Sequence, residues 1–220
     1  NFAKNYDIQV TAGNSKVNAK KIYLNNINAS TTYGSKDGLR VDGNVSLQDN
    51  SIVYGDQVSL KDGASVSYKA DGEYAANKGG RDTADVGEYR GNVAVTGAEL
   101  AGNELGNYEL VNNATGVITV KKATLNVGLN DVVRTYGDTS FTDGTGYGIK
   151  NHDALVNGDK GTVSLNKDAI TDGGLVDNNS KTNNKDDYKW TVGENGIVAE
   201  NVANFAKNYD IQVTAGNSKV

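Results

Sequence analysis

The sequence predicts an all-β fold: tandem small β-sandwich-like modules of about 100 residues forming an elongated rod. Three observations predict it. Residues 1–17 recur without one change at 204–220, a period of 203 residues. A run of identities that long marks a tandem array, and such arrays are spacers, stalks or fibres far more often than enzymes. The pair Lys20-Lys21 returns as Lys121-Lys122, which divides the long period into two diverged sister units. Apolar residues alternate with a period of two, and no window shows a convincing helical stripe of period 3.6.

Taken in order, residues 1–19 are expected to be the C-terminal strand or strands of a preceding repeat. Without the rest of their module, they should be either poorly packed or completed by another chain. Module A spans 20–120 and module B 121–220. Each carries the same landmarks in the same order. Thr32-Tyr33-Gly34 answers Thr135-Tyr136-Gly137. Val53-Tyr54-Gly55-Asp56 answers Val156-Asn157-Gly158-Asp159, and a strand-like run follows each, at 57–60 and 162–165. A Tyr-led strand comes next, Tyr89 to Val95 and Tyr188 to Val192. Asn107-Tyr108-Glu109-Leu110 then answers Asn208-Tyr209-Asp210-Ile211, which is also Asn5-Tyr6-Asp7-Ile8. A closing strand, Gly116 to Val120, runs into the Lys-Lys pair.

Within this frame Ala123, Leu125, Val127 and Leu129 alternate with Thr124, Asn126, Gly128 and Asn130, which predicts a half-buried strand. Val58 and Leu60, then Val66 and Tyr68, flank Lys61-Asp62-Gly63 and read as a β-hairpin with Gly in the turn. Gly97 to Leu105 reads as a helical turn or a loop. The polar stretches 70–85 and 171–187 read as long loops. Six to eight short strands per module are expected. No Pro or Gly/Ser linker interrupts the Lys-Lys junction, so one module should run almost directly into the next, as a stiff rod does.

Composition narrows the function. With 37% hydrophobic residues, 27 Gly and 12 Tyr, each unit can bury only a modest core. A net charge of −5 argues against nucleic acid, whose binders need a basic face. There is no Cys, hence no disulfide framework and no thiolate metal site. No stretch approaches the 18 or so apolar residues of a membrane span. The chain contains no Met and begins at Asn1; it reads as an internal window, with its export signal expected outside it. Pro is absent too, so charged and Asn-rich strands must blunt the sheet edges.

At these landmarks the sequence resembles the MBG and YDG domains of giant bacterial surface adhesins of the filamentous-haemagglutinin-like kind. The motifs that carry the resemblance are Thr135-Tyr-Gly-Asp138, Ala154-Leu-Val-Asn-Gly-Asp159, Val86-Gly-Glu-Tyr-Arg-Gly-Asn-Val-Ala-Val95, and Asn107-Tyr-Glu-Leu110 followed by Gly116-Val-Ile-Thr-Val-Lys-Lys-Ala123. It spans essentially the whole chain. Module A departs from it at Ser35, where Asp is usual. The resemblance implies a secreted, non-catalytic, repetitive part of an adhesin or matrix protein at the bacterial cell surface, and it names no ligand.

Tyr33, Tyr108, Tyr136 and Tyr209 are expected to plug the cores with their hydroxyls at the edge rather than to form a sugar-stacking surface. Trp190 is expected in the core of B. Asp37, Asp42 and Asn44, or Asp168, Asp172 and Asp177, invite weak calcium binding. They lack the spacing of a calcium loop, so solvated turns are expected and no cofactor is assigned. His152 has no nucleophile or second His for a triad or zinc site, and Asp186-Asp187 lies in a polar stretch. No catalytic, cofactor-binding or metal residue is therefore assigned. Asn28, Asn44, Asn113 and Asn178 match the glycosylation acceptor pattern, which arises easily in an Asn- and Ser-rich chain. The expected partners are adjacent copies of the same repeat in cis, with self-association in trans as a further option. Nucleic acid and membrane insertion are not expected. The expected function is a stalk or fibre repeat in adhesion or biofilm. The alternative is that the repeats themselves bind a glycan, a host protein or one another.

Overall fold

A stretch of β-branched and aromatic residues punctuated by Gly and Asn favours short strands joined by tight turns, and the chain folds accordingly. The computed structural model describes residues 6–138, 146–176 and 181–220, and its architecture is all-β. The N-terminal half holds β1 (Lys20–Tyr23), β2 (Asn28–Thr32), β3 (Arg40–Asp42), β4 (Val58–Leu60), β5 (Ser65–Tyr68), a helix α1 (Glu73–Lys78), β6 (Gly87–Arg90), β7 (Val93–Thr96), β8 (Leu100–Gly102), β9 (Tyr108–Val111) and β10 (Val117–Lys121). The C-terminal half holds β11 (Ala123–Leu129), β12 (Val132–Val133), β13 (Ile149–His152), β14 (Thr162–Leu165), β15 (Ile170–Asp172), β16 (Leu175–Val176), β17 (Lys181–Thr182), β18 (Asp187–Val192), β19 (Ile197–Glu200), a helix α2 (Phe205–Asn208), β20 (Tyr209–Thr214) and β21 (Gly216–Lys219).

The first strands of each half pair in parallel with its last. Lys20 lies opposite Tyr108 in β1–β9, and Ile118 opposite Ala29 in β10–β2. Correspondingly, Ala123 lies opposite Tyr209 in β11–β20, and Val132 opposite Ser218 in β12–β21. Parallel partners require a long crossover, and here nearly the whole half lies between them. The middle strands add antiparallel ladders: β10–β6, β4–β8 and β5–β7 in one half, β21–β18, β14–β19 and β15–β18 in the other. Among the described residues no ladder joins the two halves, and only Lys122 separates β10 from β11.

β11 buries Ala123, Leu125, Val127 and Leu129 and leaves the alternate residues outward, as its spacing predicts. Trp190 is fully buried. It packs edge-on against Tyr147 at 4.7 Å and donates from Nε1 to the Asn130 carbonyl at 2.7 Å. Beside it the buried pair Arg134–Asp172 (3.2 Å) is tied by the Tyr147 hydroxyl donating to Asp172 at 2.7 Å.

Five expectations are corrected here. Lys61-Asp62-Gly63 is not a hairpin turn. β4 and β5 are two parts of one bent strand that runs antiparallel to β7 and β8, with the Lys61 amide donating to the Glu99 carbonyl at 2.8 Å. Gly63 (φ +117°) and Gly97 (φ +69°) face each other there, so the glycine supplies a bulge instead of a reversal. The polar stretch 70–85 contains α1. Its first turn is capped from a distance, Asn92 Oδ1 accepting from the Tyr74 amide at 2.9 Å, while Tyr74 packs on Tyr89 at 5.4 Å. Gly97 to Leu105 contains strand β8 before a 3₁₀ turn at Leu105–Asn107, and 171–187 contains the small β16–β17 ladder. Among the described residues, ten strands in one half and eleven in the other exceed the six to eight expected, where bends such as that between β4 and β5 break longer strands into pieces.

Over its described part, residues 6–17 against 209–220, the repeated segment adopts two conformations. Residues 209–219 form β20 and β21, with Tyr209 buried. In the first copy, residues 6–19 carry no strand, and Tyr6, Ile8, Val10 and Val17 are exposed. Trypsin probes the difference. Cleavage after Lys16 is expected well before cleavage after Lys207, inside the folded second copy, read by intact mass; simultaneous cleavage would contradict the difference.

Candidate functional site: the junction at Asp159

Two turns and a helix end converge where the halves meet. After β2, Gly34 (φ +73°) turns the chain and its amide donates to Thr83 Oγ1 at 2.8 Å. The Tyr33 amide donates to the Lys121 carbonyl at 2.8 Å, which holds the ring inward. α1 ends in left-handed Gly79, followed by Gly80 at φ +84°, a glycine stop that delivers Arg81. From the other half, Asn157 and Gly158 both have positive φ, and the Asp159 amide donates to the Val156 carbonyl at 3.0 Å. This tight turn projects Asp159. Tyr209, the first residue of β20, receives the Val156 amide on its hydroxyl at 2.9 Å.

Asp159 is the hub. Its Oδ2 accepts from the hydroxyls of Tyr33 and Tyr209, each at 2.9 Å, and its Oδ1 accepts from Arg81 Nη2 at 2.8 Å. The same guanidinium donates to Tyr33 Oη at 2.7 Å, and its Nη1 to Asp85 Oδ1 at 3.0 Å. Asp85 also accepts from Asn204 and Asn208 at 2.8 and 2.9 Å, while Asn208 Oδ1 receives the Val86 amide at 3.0 Å. Asn157 is clamped by Thr83, accepting from its amide at 2.9 Å and donating to its carbonyl at 3.0 Å. The Tyr33 and Tyr209 rings meet edge-to-face at 5.5 Å. Tyr33, Arg81, Thr83, Asp85 and Val86 of one half thus bond Asn157, Asp159, Asn204 and Asn208 of the other. A network satisfied in this way fixes relative position and orientation.

Burial would lift the Asp85 carboxyl, but Asn204, Asn208 and Arg81 outweigh it and hold the group below its ordinary 3.8. For Arg81 burial again opposes the charge and is outweighed, first by Asp159, so the guanidinium is held more firmly protonated than usual. Burial raises the Tyr33 and Tyr209 hydroxyls, and the Asp159 charge adds to it. Tyr89, whose hydroxyl donates to the Asp85 carbonyl, is pushed up to about 12 by burial and then by the Asp85 charge.

Of the four landmark tyrosines, Tyr33, Tyr108 and Tyr209 are buried and Tyr136 is 65% exposed. The expectation that Tyr136 plugs a core is corrected: it occupies the place of Tyr33 but stays exposed among the described residues. A half-network stands around Tyr108. Its hydroxyl donates to Asp56 at 2.5 Å and receives the Val53 amide at 2.9 Å. Asp172 is spent on Arg134, Tyr147 and the Gly174 amide, and Asp177 lies outside the described residues, as does Asn178. Among the described residues no three His, Cys, Asp or Glu side chains converge as a metal site. His152 is exposed at the end of β13, and the Asp186 carboxylate is turned onto the Asp187 amide. Asn28 Oδ1 accepts from the Val117 amide, inside the β2–β10 region. Among the described residues no helix is long and apolar enough to cross a membrane. No family model, no curated protein and no solved structure matches the chain.

Sequence reading missed Arg81, Thr83, Asp85, Asn204 and Asn208. The available signal was the Val-x-Gly-Asp landmark, whose Asp recurs in both halves.

Two outcomes are expected. A Cβ added at Gly34 would lie 2.5 Å from Val156 Cγ2 and 2.8 Å from the Asn157 nitrogen, whereas one at Gly137 (φ +92°) meets nothing within 4 Å. Both substitutions carry the positive-φ cost of about 1 kcal/mol, so Gly34→Ala should lower the melting temperature clearly more than Gly137→Ala; equal effects would deny the junction its packing. A carboxyl held down in the fold contributes stability above its unfolded value and loses it as pH falls. A phenol held up contributes below its unfolded value and loses it as pH rises. Melting temperature should therefore fall below about pH 4 and above about pH 10, and Asp159→Asn should make the alkaline fall shallower.

Proposed function

We propose that this chain is a structural stalk or fibre repeat of a bacterial cell-surface or extracellular-matrix adhesin, acting without catalysis. In this reading the halves are β-sandwich-like modules A and B stacked in tandem along a rod. The rod projects a distal binding region or builds a filament for adhesion and biofilm. The observation that carries the reading is the joint. One residue, Lys122, connects β10 to β11, and the Asp159 network locks the turns on either side. A hinge between independent domains would carry a flexible linker and few cross-contacts. The exact recurrence at 204–220 supports an array built of many such joints, and the MBG/YDG resemblance supports its setting at a bacterial surface.

The mechanism is geometric. A short connection fixes the distance between modules, and the hub fixes their angle. The net charge of −5 keeps near-identical neighbours from associating indiscriminately, a hazard in repeat arrays.

Small-angle scattering tests it. A two-period chain should exceed the one-period chain in maximum dimension by one constant increment, and Arg81→Ala with Asp159→Ala should broaden the distribution of lengths. A compact two-period particle would sink the reading.

A further inference from the structure

We propose that the two outer ends of this chain are complementary to each other. One copy then docks head-to-tail on the next through Tyr136 and Thr182 of the first and Asp56 and Tyr108 of the second. This rests on the tandem-module reading above, with the internal junction as its template.

Each outer end carries, already formed, one half of that junction. At the leading end of the C-terminal half, the Asp159 amide closes its turn on the Val156 carbonyl at 3.0 Å, the Val156 amide donates to Tyr209 Oη at 2.9 Å, and that hydroxyl donates to Asp159. At the leading end of the N-terminal half, the Asp56 amide closes on the Val53 carbonyl at 3.0 Å, the Val53 amide donates to Tyr108 Oη at 2.9 Å, and that hydroxyl donates to Asp56. The trailing ends match as well. The Gly34 amide donates to Thr83 Oγ1, and the Gly137 amide to Thr182 Oγ1, both at 2.8 Å. The Tyr89 hydroxyl donates to the Asp85 carbonyl at 2.7 Å, and the Tyr188 hydroxyl to the Asn184 carbonyl at 3.0 Å.

The corresponding residues differ in what covers them. Tyr33 is 1% exposed in the internal junction, and Tyr136 is 65% exposed. Asn157 is 3% exposed between the two halves, and Tyr54 in its place is 103% exposed. The space over Gly34 is filled by Val156, and the space over Gly137 is open. Docking a second copy would cover two exposed tyrosines and offer Asp56 the Tyr136 hydroxyl, as Asp159 takes that of Tyr33. Because the two surfaces differ, the contact is heterologous, and with the halves stacked as in the rod reading above it propagates as an open series rather than a two-fold dimer. It lacks the guanidinium of the internal joint. Two residues before Thr182 stands Ser180, outside the described residues, where Arg81 precedes Thr83. The intermolecular contact is accordingly the weaker of the two.

Sedimentation velocity on the full chain tests the proposal. The wild type should show dimers, trimers and longer species that grow with concentration. Tyr136→Asp blocks the trailing end and Tyr54→Asp the leading end. Both side chains are exposed, so neither change threatens the fold. Each variant alone should lose all species above monomer, and an equimolar mixture should form a dimer and nothing longer. Val10→Asp, in the exposed first copy of the repeated segment, should leave association unchanged. Association that survives both end substitutions, or that is lost with Val10→Asp, overturns the proposal in favour of strand exchange or another face. A wild type that stays monomeric at millimolar concentration also overturns it. If that monomer is elongated in scattering, the stalk reading stands alone; if it is compact, the stalk reading falls as well.

Discussion

The arrangement of the two halves depends on one carboxylate. Asp159 is nearly buried, and an ion taken from water has to be repaid by close donors. Here the repayment comes from three directions at once: Arg81, Tyr33 and Tyr209. Two of these belong to the other half of the chain, so the charge can be satisfied only when the halves are seated in one relative position. A purely apolar interface would tolerate sliding; a hub of directional bonds around a buried charge does not. The Asp85 cluster repeats the principle on a smaller scale, with Arg81 shared between the carboxylates and Asn208 bound to both Asp85 and the Val86 amide.

Around this hub the apolar core is continuous. Tyr33, Tyr209 and Phe205 lie in the same buried cluster as Leu125, Val127 and Trp190 of one half and Tyr74, Tyr89 and Ile118 of the other. The aromatic rings supply area that aliphatic residues in so polar a chain cannot, and their hydroxyls reach the edge where partners wait. The second buried pair, Arg134 with Asp172, lies wholly within the C-terminal half and is roofed by Tyr147 and Trp190. It holds the shape of that half, whereas the Asp159 hub sets its placement.

What was legible in the sequence was what local pattern determines. Strict alternation over Ala123 to Leu129 has one good solution, a strand with one face buried, and that is β11. The burial of Trp190 and the direct run of β10 into β11 were legible for the same reason. Pairing partners were not. Gly63 supplies a positive φ that a turn and a bulge both require, and the sequence around it does not say which. α1 was hidden because six residues with only Tyr74 buried show no stripe, and its cap is the distant side chain of Asn92. The junction was half legible. The recurring Asp of the Val-x-Gly-Asp landmark is a local signal, but Arg81 sits 78 residues from Asp159 in a stretch whose composition reads as solvated. Tyr136 differs from Tyr33 because equal spacing does not bring equal surroundings: Val156 sits over Gly34, and no atom lies within 4 Å of a Cβ at Gly137.

The parallel pairing of first strands with last has a consequence for the order of folding. β11 has no partner along one edge until β20 arrives more than 80 residues later, and β1 likewise waits for β9. For a chain that emerges from one end, no unit can be sealed until its final strand is out. Until then β11 faces an open groove shaped for β20, and the sequence of that strand also stands at residues 6–11. The identical segment at 6–17 forms no strand and leaves Ile8, Val10 and Val17 exposed. Correct pairing then depends on timing as much as on affinity: the covalently next strand must arrive before an identical segment from another chain does.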